Sequence, residues 1–404
     1  MSASVVIVGA GQAAAQTVAS LHSEGFAGAI TVIGDEPYLP YQRPPLSKAY
    51  LAGELAAERL FIRPREFYDD AKCTMMLGVS ATAIDRAKKQ VETSKGSVAY
   101  DTLVFATGSR VRHLTAQGKD VPGVRYLRGI ADVEAMQSYL RPGVKLAIIG
   151  AGYIGLEVAA VAKKRGLSVT VLEMAPRVMA RTVSEQISAF YELEHRTAGV
   201  VIHTGTSVNG VAAAASGFVV DTSAGPVPAD LVIAGVGILP NVELAQAAGL
   251  KVANGIVVDE FARTSDPAIY AVGDCADLPC VHSPTERARL ESVQNAIDQA
   301  KHAAMAICGK PKPYAEVPWF WSDQYDLKLQ IAGLASAQDQ LVLRGDPAAR
   351  SFAVFRLRQG AIIGVEAVNA APEYMMGRRL IAARAKVAPE RLADRAIPMK
   401  EMGG

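Results

Sequence analysis

Short apolar runs recur along the chain, and several stop at glycine. Val5-Val6-Ile7-Val8 runs into Gly9-Ala10-Gly11 and then Gln12-Ala13-Ala14, and Leu146-Ala147-Ile148-Ile149 runs into Gly150-Ala151-Gly152 and then Tyr153-Ile154-Gly155. Each pattern predicts a buried strand, a tight turn and a helix. Each is followed by a second β-like run, Ala29 to Gly34 in the first case and Ser168 to Glu173 in the second. Two βαβ units are therefore expected. Thr102 to Gly108, with Ala106-Thr107-Gly108 at its end, reads as a further buried strand. So do Leu231 to Gly237 and Ile269 to Asp274, the latter ending Gly273-Asp274. In open α/β sheets ligands sit at the carboxyl ends of strands, so these glycines are candidate contact points.

Three-to-four spacing of Leu290, Val293, Ile297, Ala300 and Ala304 predicts a helix over 288–307, ended by Gly309-Lys310-Pro311. Beyond Pro313 the texture changes. Trp319-Phe320-Trp321, Lys328 to Ile331, Leu341 to Leu343 and Ser351 to Leu357 read as antiparallel strands, and a helix is expected from about Pro372 to Ala385. The fold class is thus α/β: two Rossmann-like dinucleotide-binding domains and a small C-terminal α+β domain.

A chain of 404 residues is too long for one ordinary core. Its 50% hydrophobic content, without a long polar segment, argues against disorder. Net charge is +2, from 42 basic and 40 acidic residues, which argues against a dedicated nucleic-acid binder. Met1 to Val8 lacks the positive flank and cleavage site of a signal peptide, and the longest apolar stretch, Leu146 to Ala162, contains Glu157 and several glycines. A cytoplasmic protein is expected. The six histidines show no ligand spacing, so no metal is expected. The four cysteines (Cys73, Cys275, Cys280, Cys308) form no C-x-x-C pair.

The second turn, Gly150-x-Gly152-x-x-Gly155, carries a dinucleotide fingerprint. Gly150 permits the turn, Gly152 admits a pyrophosphate to the backbone, and Gly155 lets helix and strand approach. Glu173 closes the next strand, where an acid bonds the adenosine ribose and repels a 2′-phosphate; this favours NADH, although Arg177 lies nearby in sequence. The first turn, Gly9-x-Gly11-x-x-Ala14, replaces the third glycine by alanine. Its second strand puts Gly34 where the acid is expected and Asp35 one position later. Two nucleotide units call for two ligands. FAD and a pyridine nucleotide are the commonest pair, because flavin N5 accepts the nicotinamide hydride.

Pro44-Pro45-Leu46-Ser47-Lys48, Ala106-Thr107-Gly108, Gly150 to Glu157, Thr264 to Asp274 and Pro318 to Gln324 together resemble the oxygenase-coupled NADH-dependent ferredoxin reductases. The likeness spans nearly the whole chain. It implies a glutathione-reductase-like flavoprotein. Gly9, Gly11, Ala13, Ala14, Asp35, Arg43, Pro45, Lys48, Ala106, Thr107 and Gly108 would contact FAD. Ala81 would lie near the adenine, Arg128 near the pyrophosphate, Gly273 and Asp274 at the ribityl chain, and Val293 would offer a backbone N–H to the pyrimidine end. A helix starting near Leu290 to Val293 would stabilise the negative charge of reduced flavin. Gly150, Gly152, Tyr153, Ile154, Gly155, Glu173 and Gly237 would hold NADH. A Lys48–Glu157 ion pair near the reacting atoms, Tyr153 over the flavin face and Trp321 on the nicotinamide side complete the implied catalytic set.

Disulfide reductases and NADH peroxidases keep cysteine just after the first unit, where this chain has Pro44 to Lys48. An external acceptor is therefore expected. The resemblance implies electron transfer to a [2Fe–2S] ferredoxin serving an oxygenase such as a cytochrome P450. That acidic partner would dock on a basic patch drawn from Arg65, Lys301, Lys310, Lys312, Arg378, Arg379, Arg384 and Lys386. The competing readings are a rubredoxin reductase, an NADH oxidase, and a redox-sensing interaction protein like the apoptosis-inducing flavoproteins. The expected division is 1–108 with 235–312 for FAD, 109–234 for NADH, and 313–404 for the C-terminal domain, which would contribute to active site and interface.

Overall fold

The computed structural model describes residues 3–403 apart from 117–118 and 121–122. Contacts divide the chain into two compact units. One comprises Met1–Gln42, Leu60–Arg110 and Leu239–Phe320; the other comprises Arg43–Arg59, Val111–Ile238 and Trp321–Gly404. The segment Arg43–Arg59, counted with the FAD pieces in the sequence-based division, groups with the second unit.

In the first unit, Ser4–Val8 is the central strand of a five-stranded parallel sheet. Ala29–Gly34 and then Cys73–Leu77 lie on one side; Thr102–Phe105 and then Ile269–Ala271 lie on the other. Val5, Val6, Ile7 and Val8 are all buried, which is why this strand reads as an unbroken apolar run rather than an alternation. The helices Gln12–Ser23 and Val293–Ile307 pack against each other through small residues, including Ala13, Ala14, Ala296 and Ala303. The second of these begins at Val293, not Ala288. Ser292 caps it by accepting the Asn295 N–H, and the Asn295 side chain donates to the Leu290 carbonyl, holding 290–292 outside the helix.

The second unit repeats the design. Lys145–Ile149 is central in a parallel sheet, with Ser168–Leu172 and Val201–His203 on one side and Leu231–Ala234 and Val124–Arg125 on the other. The same unit carries most of a five-stranded sheet in the order Trp319–Gln324, Leu327–Gly333, Ala361–Val368, Ser351–Arg358, Gln340–Asp346. Its central strand, Ala361–Val368, was not foreseen. Nearly all its positions are buried, so it shows no two-residue alternation, and it contains Gly364 and Glu366. The helix Ala371–Ala382 lies on this strand.

Three glycines set the turns. Gly9 (φ +110°) and Gly150 (φ +100°) each face a neighbouring strand's carbonyl: a Cβ would stand 2.1 Å from the Ala106 oxygen and 2.5 Å from the Gly235 oxygen, respectively. A Cβ on Gly155 would stand 2.2 Å from the Gly150 oxygen, whereas one on Gly152 would meet nothing within 4 Å. Among the described residues no helix is long and apolar enough to cross a membrane. Gly155→Ala should therefore destabilise the protein by about 3 kcal/mol, because a backbone carbonyl cannot yield like a side chain. Gly152→Ala should change stability by no more than about 0.5 kcal/mol. Urea unfolding of both variants reads the difference, and equal costs would remove the close-approach account of Gly155.

Candidate active site

In the first unit the carboxyl ends of three strands meet at the Gly9 turn. Ala106 lies against Gly9. Thr107 is locked to Asn241 by two bonds: its hydroxyl donates to the Asn241 carbonyl (2.7 Å) and its carbonyl accepts from Asn241 Nδ2 (2.8 Å). The Gly108 carbonyl accepts the Asn241 N–H. Gly273 (φ +82°) sits where a Cβ would come 3.3 Å from Ala13 Cβ, and its N–H donates to buried Gln299 (2.6 Å). Asp274 accepts from the Ser109 hydroxyl at 2.6 Å. Gly9, Gly11, Ala13, Ala14, Ala106, Thr107, Gly108, Gly273 and Asp274 thus form one cradle. Asp35 is exposed beyond Gly34, where a Cβ would come 2.4 Å from Ala10 Cβ. That crowding explains why no acid stands at position 34. Ala81 starts a strand of a separate three-stranded sheet, and Val293 opens its helix behind the Ser292 cap.

The residues at the two glycine turns fit a dinucleotide. The helices after Gly11 and Gly152 have no side-chain cap, while Ser184 and Ser292 cap the helices that follow them. No Cβ obstructs Gly11 or Gly152. Backbone N–H groups beside open glycines suit a pyrophosphate.

In the second unit, Glu173 follows its strand and turns back to the glycine loop. One carboxylate oxygen accepts the Ala151 N–H (2.6 Å) and the other the Ala175 N–H (2.8 Å). Arg177 donates to the Ala180 carbonyl. The Gly237 carbonyl accepts the Arg112 N–H, and Ile154 is exposed in the first helical turn. Arg43 donates to the Arg128 carbonyl at 2.6 Å.

The densest chemistry surrounds Glu157, which is 4% exposed. Its Oε2 lies 2.8 Å from Lys48 Nζ and accepts from the Ser47 hydroxyl at 2.5 Å; its Oε1 accepts from the Ser322 hydroxyl at 2.6 Å. Ser47 and Lys48 are delivered by the single 3₁₀ turn Pro44–Ser47, whose prolines Pro44 and Pro45 preset its geometry. Ser47 and Ser322 were not among the expected site residues, although they lie within Pro44–Lys48 and Pro318–Gln324. Tyr153, half-buried, bonds Thr182; burial drives its phenol pKa well above the usual range. Tyr191 is driven up for the same reason, and its buried hydroxyl has no partner among the described residues. Burial also lowers the pKa of His195 and raises that of Cys275. Trp321 precedes Ser322 on its strand, so its side chain leaves from the opposite face. The cysteines are free thiols, three of them buried.

Residues 3–300 match the pyridine nucleotide-disulphide oxidoreductase family, and residues 319–403 match a reductase C-terminal family. A ferredoxin–NAD(P)+ reductase of Sphingomonas sp. is 46% identical over 98% of this chain and 96% of its own length. Rhodocoxin reductase of Rhodococcus erythropolis is 44% identical over 98% of this chain and 93% of its own. A chain of the crystal structure of the covalent putidaredoxin reductase–putidaredoxin complex superimposes with a TM-score of 0.94 at 42% identity, covering 99% of this chain and 98% of that one. The chain belongs to the ferredoxin–NAD(P)+ reductase family. It is an oxidoreductase, and the expected α/β class with a small C-terminal domain is borne out. Within this reductase the family's disulphide chemistry has no thiol pair to work through at 44–48, where the chain instead supplies a hydroxyl and an ammonium to one buried carboxylate.

Lys48 and Glu157 differ in access to water, since the Lys48 side chain is 21% exposed and that of Glu157 only 4%. Lys48→Met leaves a buried carboxylate without its counter-charge and should cost about 3 kcal/mol or more. Glu157→Gln leaves an ammonium that can hydrate and should cost about 1–2 kcal/mol. Chemical denaturation of the two variants measures the asymmetry; a larger loss for Glu157→Gln would refute it.

Proposed function

We propose that this chain is an FAD-dependent NADH:ferredoxin reductase that supplies electrons to an oxygenase. What carries the reading is the presence in one chain of two equally built, glycine-led nucleotide folds, together with near-full-length likeness to ferredoxin reductases. When bound, FAD supplies the ability to accept a hydride and to release its electrons one at a time.

The protein's own groups bind and orient. Gly9, Gly11, Ala13, Ala14, Thr107, Gly108 and Asp274 hold FAD, with Asp35, Arg43, Pro45, Ala81, Arg128 and Val293 in the contact roles the family likeness implies. Gly150, Gly152, Tyr153, Ile154, Gly155 and Gly237 hold the pyridine nucleotide, and Glu173 selects NADH by meeting the ribose hydroxyls with a carboxylate. Lys48, placed by Glu157, stands at the reacting ring. No proton donor is required for hydride arrival, so the pair acts by position and charge. Tyr153 and Trp321 flank the nicotinamide path. Segments 1–108 and 235–312 form the FAD domain, residues 109–234 form the NADH domain, and 313–404 contribute to the active site and interface.

The acceptor is an acidic [2Fe–2S] ferredoxin. The candidate docking cations remain Arg65, Lys301, Lys310, Lys312, Arg378, Arg379, Arg384 and Lys386, of which Lys310 is paired with Glu24 and Lys301 with Asp298. A cytoplasmic location fits the free cysteines.

Purified protein should be yellow, bleach on anaerobic titration with one equivalent of NADH, and reduce cytochrome c rapidly only when ferredoxin is added. A colourless protein that FAD does not restore, or fast peroxide formation independent of ferredoxin, refutes the reading. Glu173→Ala should shift the ratio of kcat/KM for NADH over NADPH toward NADPH by about tenfold or more; unchanged selectivity in steady-state assays would remove its ribose role.

A further inference from the structure

Glu157 is the inner end of a longer polar chain. Ser322, which donates to its Oε1, accepts from Gln324 Nε2 at 3.1 Å. Gln324 is two positions along the same strand and therefore on the same face. Its Oε1 lies 2.8 Å from His195 Nε2, and His195 Nδ1 lies 3.0 Å from the Tyr325 hydroxyl. Ser322, Gln324 and His195 are essentially inaccessible, at 0%, 1% and 0% exposure, while Tyr325 reaches the surface at 39%.

Chemistry gives the chain one direction. A carboxylate accepts only, so Ser322 must donate to Glu157 and receive from the Gln324 amide N–H. The Gln324 oxygen is then left to accept, which places the proton of neutral His195 on Nε2. Its Nδ1 accepts in turn, and Tyr325 donates. Every donor points inward, toward the negative charge.

The backbone supports the same reading. Tyr325 occupies the left-handed region (φ +56°) in the two-residue turn between Trp319–Gln324 and Leu327–Gly333, a conformation that a bulky aromatic rarely adopts. Its neighbour Asp326 binds Arg350, which also reaches Glu194 on the helix Glu185–Thr197 that carries His195. Turn and helix are clamped together where the phenol meets the imidazole.

We propose that Ser322, Gln324, His195 and Tyr325 are positioning residues that hold the Glu157 carboxylate aimed at Lys48, and thereby set the rate at which NADH reduces the flavin. The proposal rests on the reading of Lys48 as the cation beside the reacting ring. A filler role for the same side chains makes a different prediction, because direction would not matter.

The test compares Gln324→Glu, Gln324→Met and Tyr325→Phe by anaerobic stopped-flow bleaching of the FAD-loaded protein with NADH. Gln324→Glu keeps shape but replaces the inward donor by a second acceptor, so Ser322 is shared between two carboxylates. Bleaching should slow about tenfold, with the NADH concentration for half-maximal rate unchanged. Gln324→Met removes the donor without adding a competitor and should slow it less. Tyr325→Phe, at the accessible end, should slow it two- to threefold, in the range of a weak neutral hydrogen bond. Wild-type rates in all three variants, or Gln324→Met slower than Gln324→Glu, overturn the proposal. Failure of the unsubstituted protein to bleach overturns the functional reading beneath it.

Discussion

A carboxylate taken out of water must recover its solvation from the protein, and the Glu157 side chain is almost wholly enclosed. It recovers it from an ammonium and two hydroxyls, supplied by residues 47–48 and 322, far from each other and from 157 in sequence. This one requirement fixes three segments of the second unit at a common point. It also explains why Arg43–Arg59 keeps company with that unit although sequence continuity would place it elsewhere. Further ties hold the segment there: Arg165 donates to the Ala52 carbonyl at 2.7 Å and Lys164 bonds Glu54 at 2.7 Å. The Lys164–Glu54 pair is exposed and contributes little. The buried carboxylate cannot lose a donor without a large cost.

The same solution appears a second time in that unit. Glu366, 1% exposed in the central strand of the C-terminal sheet, takes Arg356 at 2.5 Å and both the N–H and the hydroxyl of Ser184. Ser184 is also the cap of the helix Glu185–Thr197 and accepts the Ile187 N–H. A hydroxyl has one proton and two lone pairs, so it can donate to Glu366 and cap the helix at once. The helix is thereby anchored at its start by Glu366 and near its end by the His195–Gln324 bond. Each buried glutamate carries one cation and at least one serine, which leaves neither charge stranded.

Much of the fold was legible because parallel strands buried on both faces read as apolar runs, and the turns that follow them need glycine for steric reasons that leave a mark in the sequence. Gly9, Gly150 and Gly155 are such marks: each is pressed against a carbonyl. Glu173 stands directly after a strand and reaches the glycine loop. Gly34 occupies the corresponding place in the first unit, because Ala10 leaves no room for a side chain there. The strand Ala361–Val368 was missed because burial on both faces erased its alternation. The helix read from spacing over 288–307 begins only at Val293, because apolar spacing continues upstream of Ser292 and the cap outweighs it.

The polar partners were the hardest to read. Lys48 and Glu157 stood out as charges embedded in apolar or proline-rich motifs, where a lone charge demands a counterpart. Ser47, Ser322, Gln324 and His195 gave no such signal, because neutral polar residues sit comfortably in strands, turns and helices, and nothing local distinguishes a solvated serine from one spent on a carboxylate. Their roles follow only once the fold has brought positions 47, 157, 195 and 322 together. The C-terminal segment is accordingly no appendage to the nucleotide fold: Ser322, Gln324 and Glu366 are donors and acceptors on which buried groups of residues 157–195 depend. Removing the segment would leave Glu157 short of a donor and His195 without its amide partner.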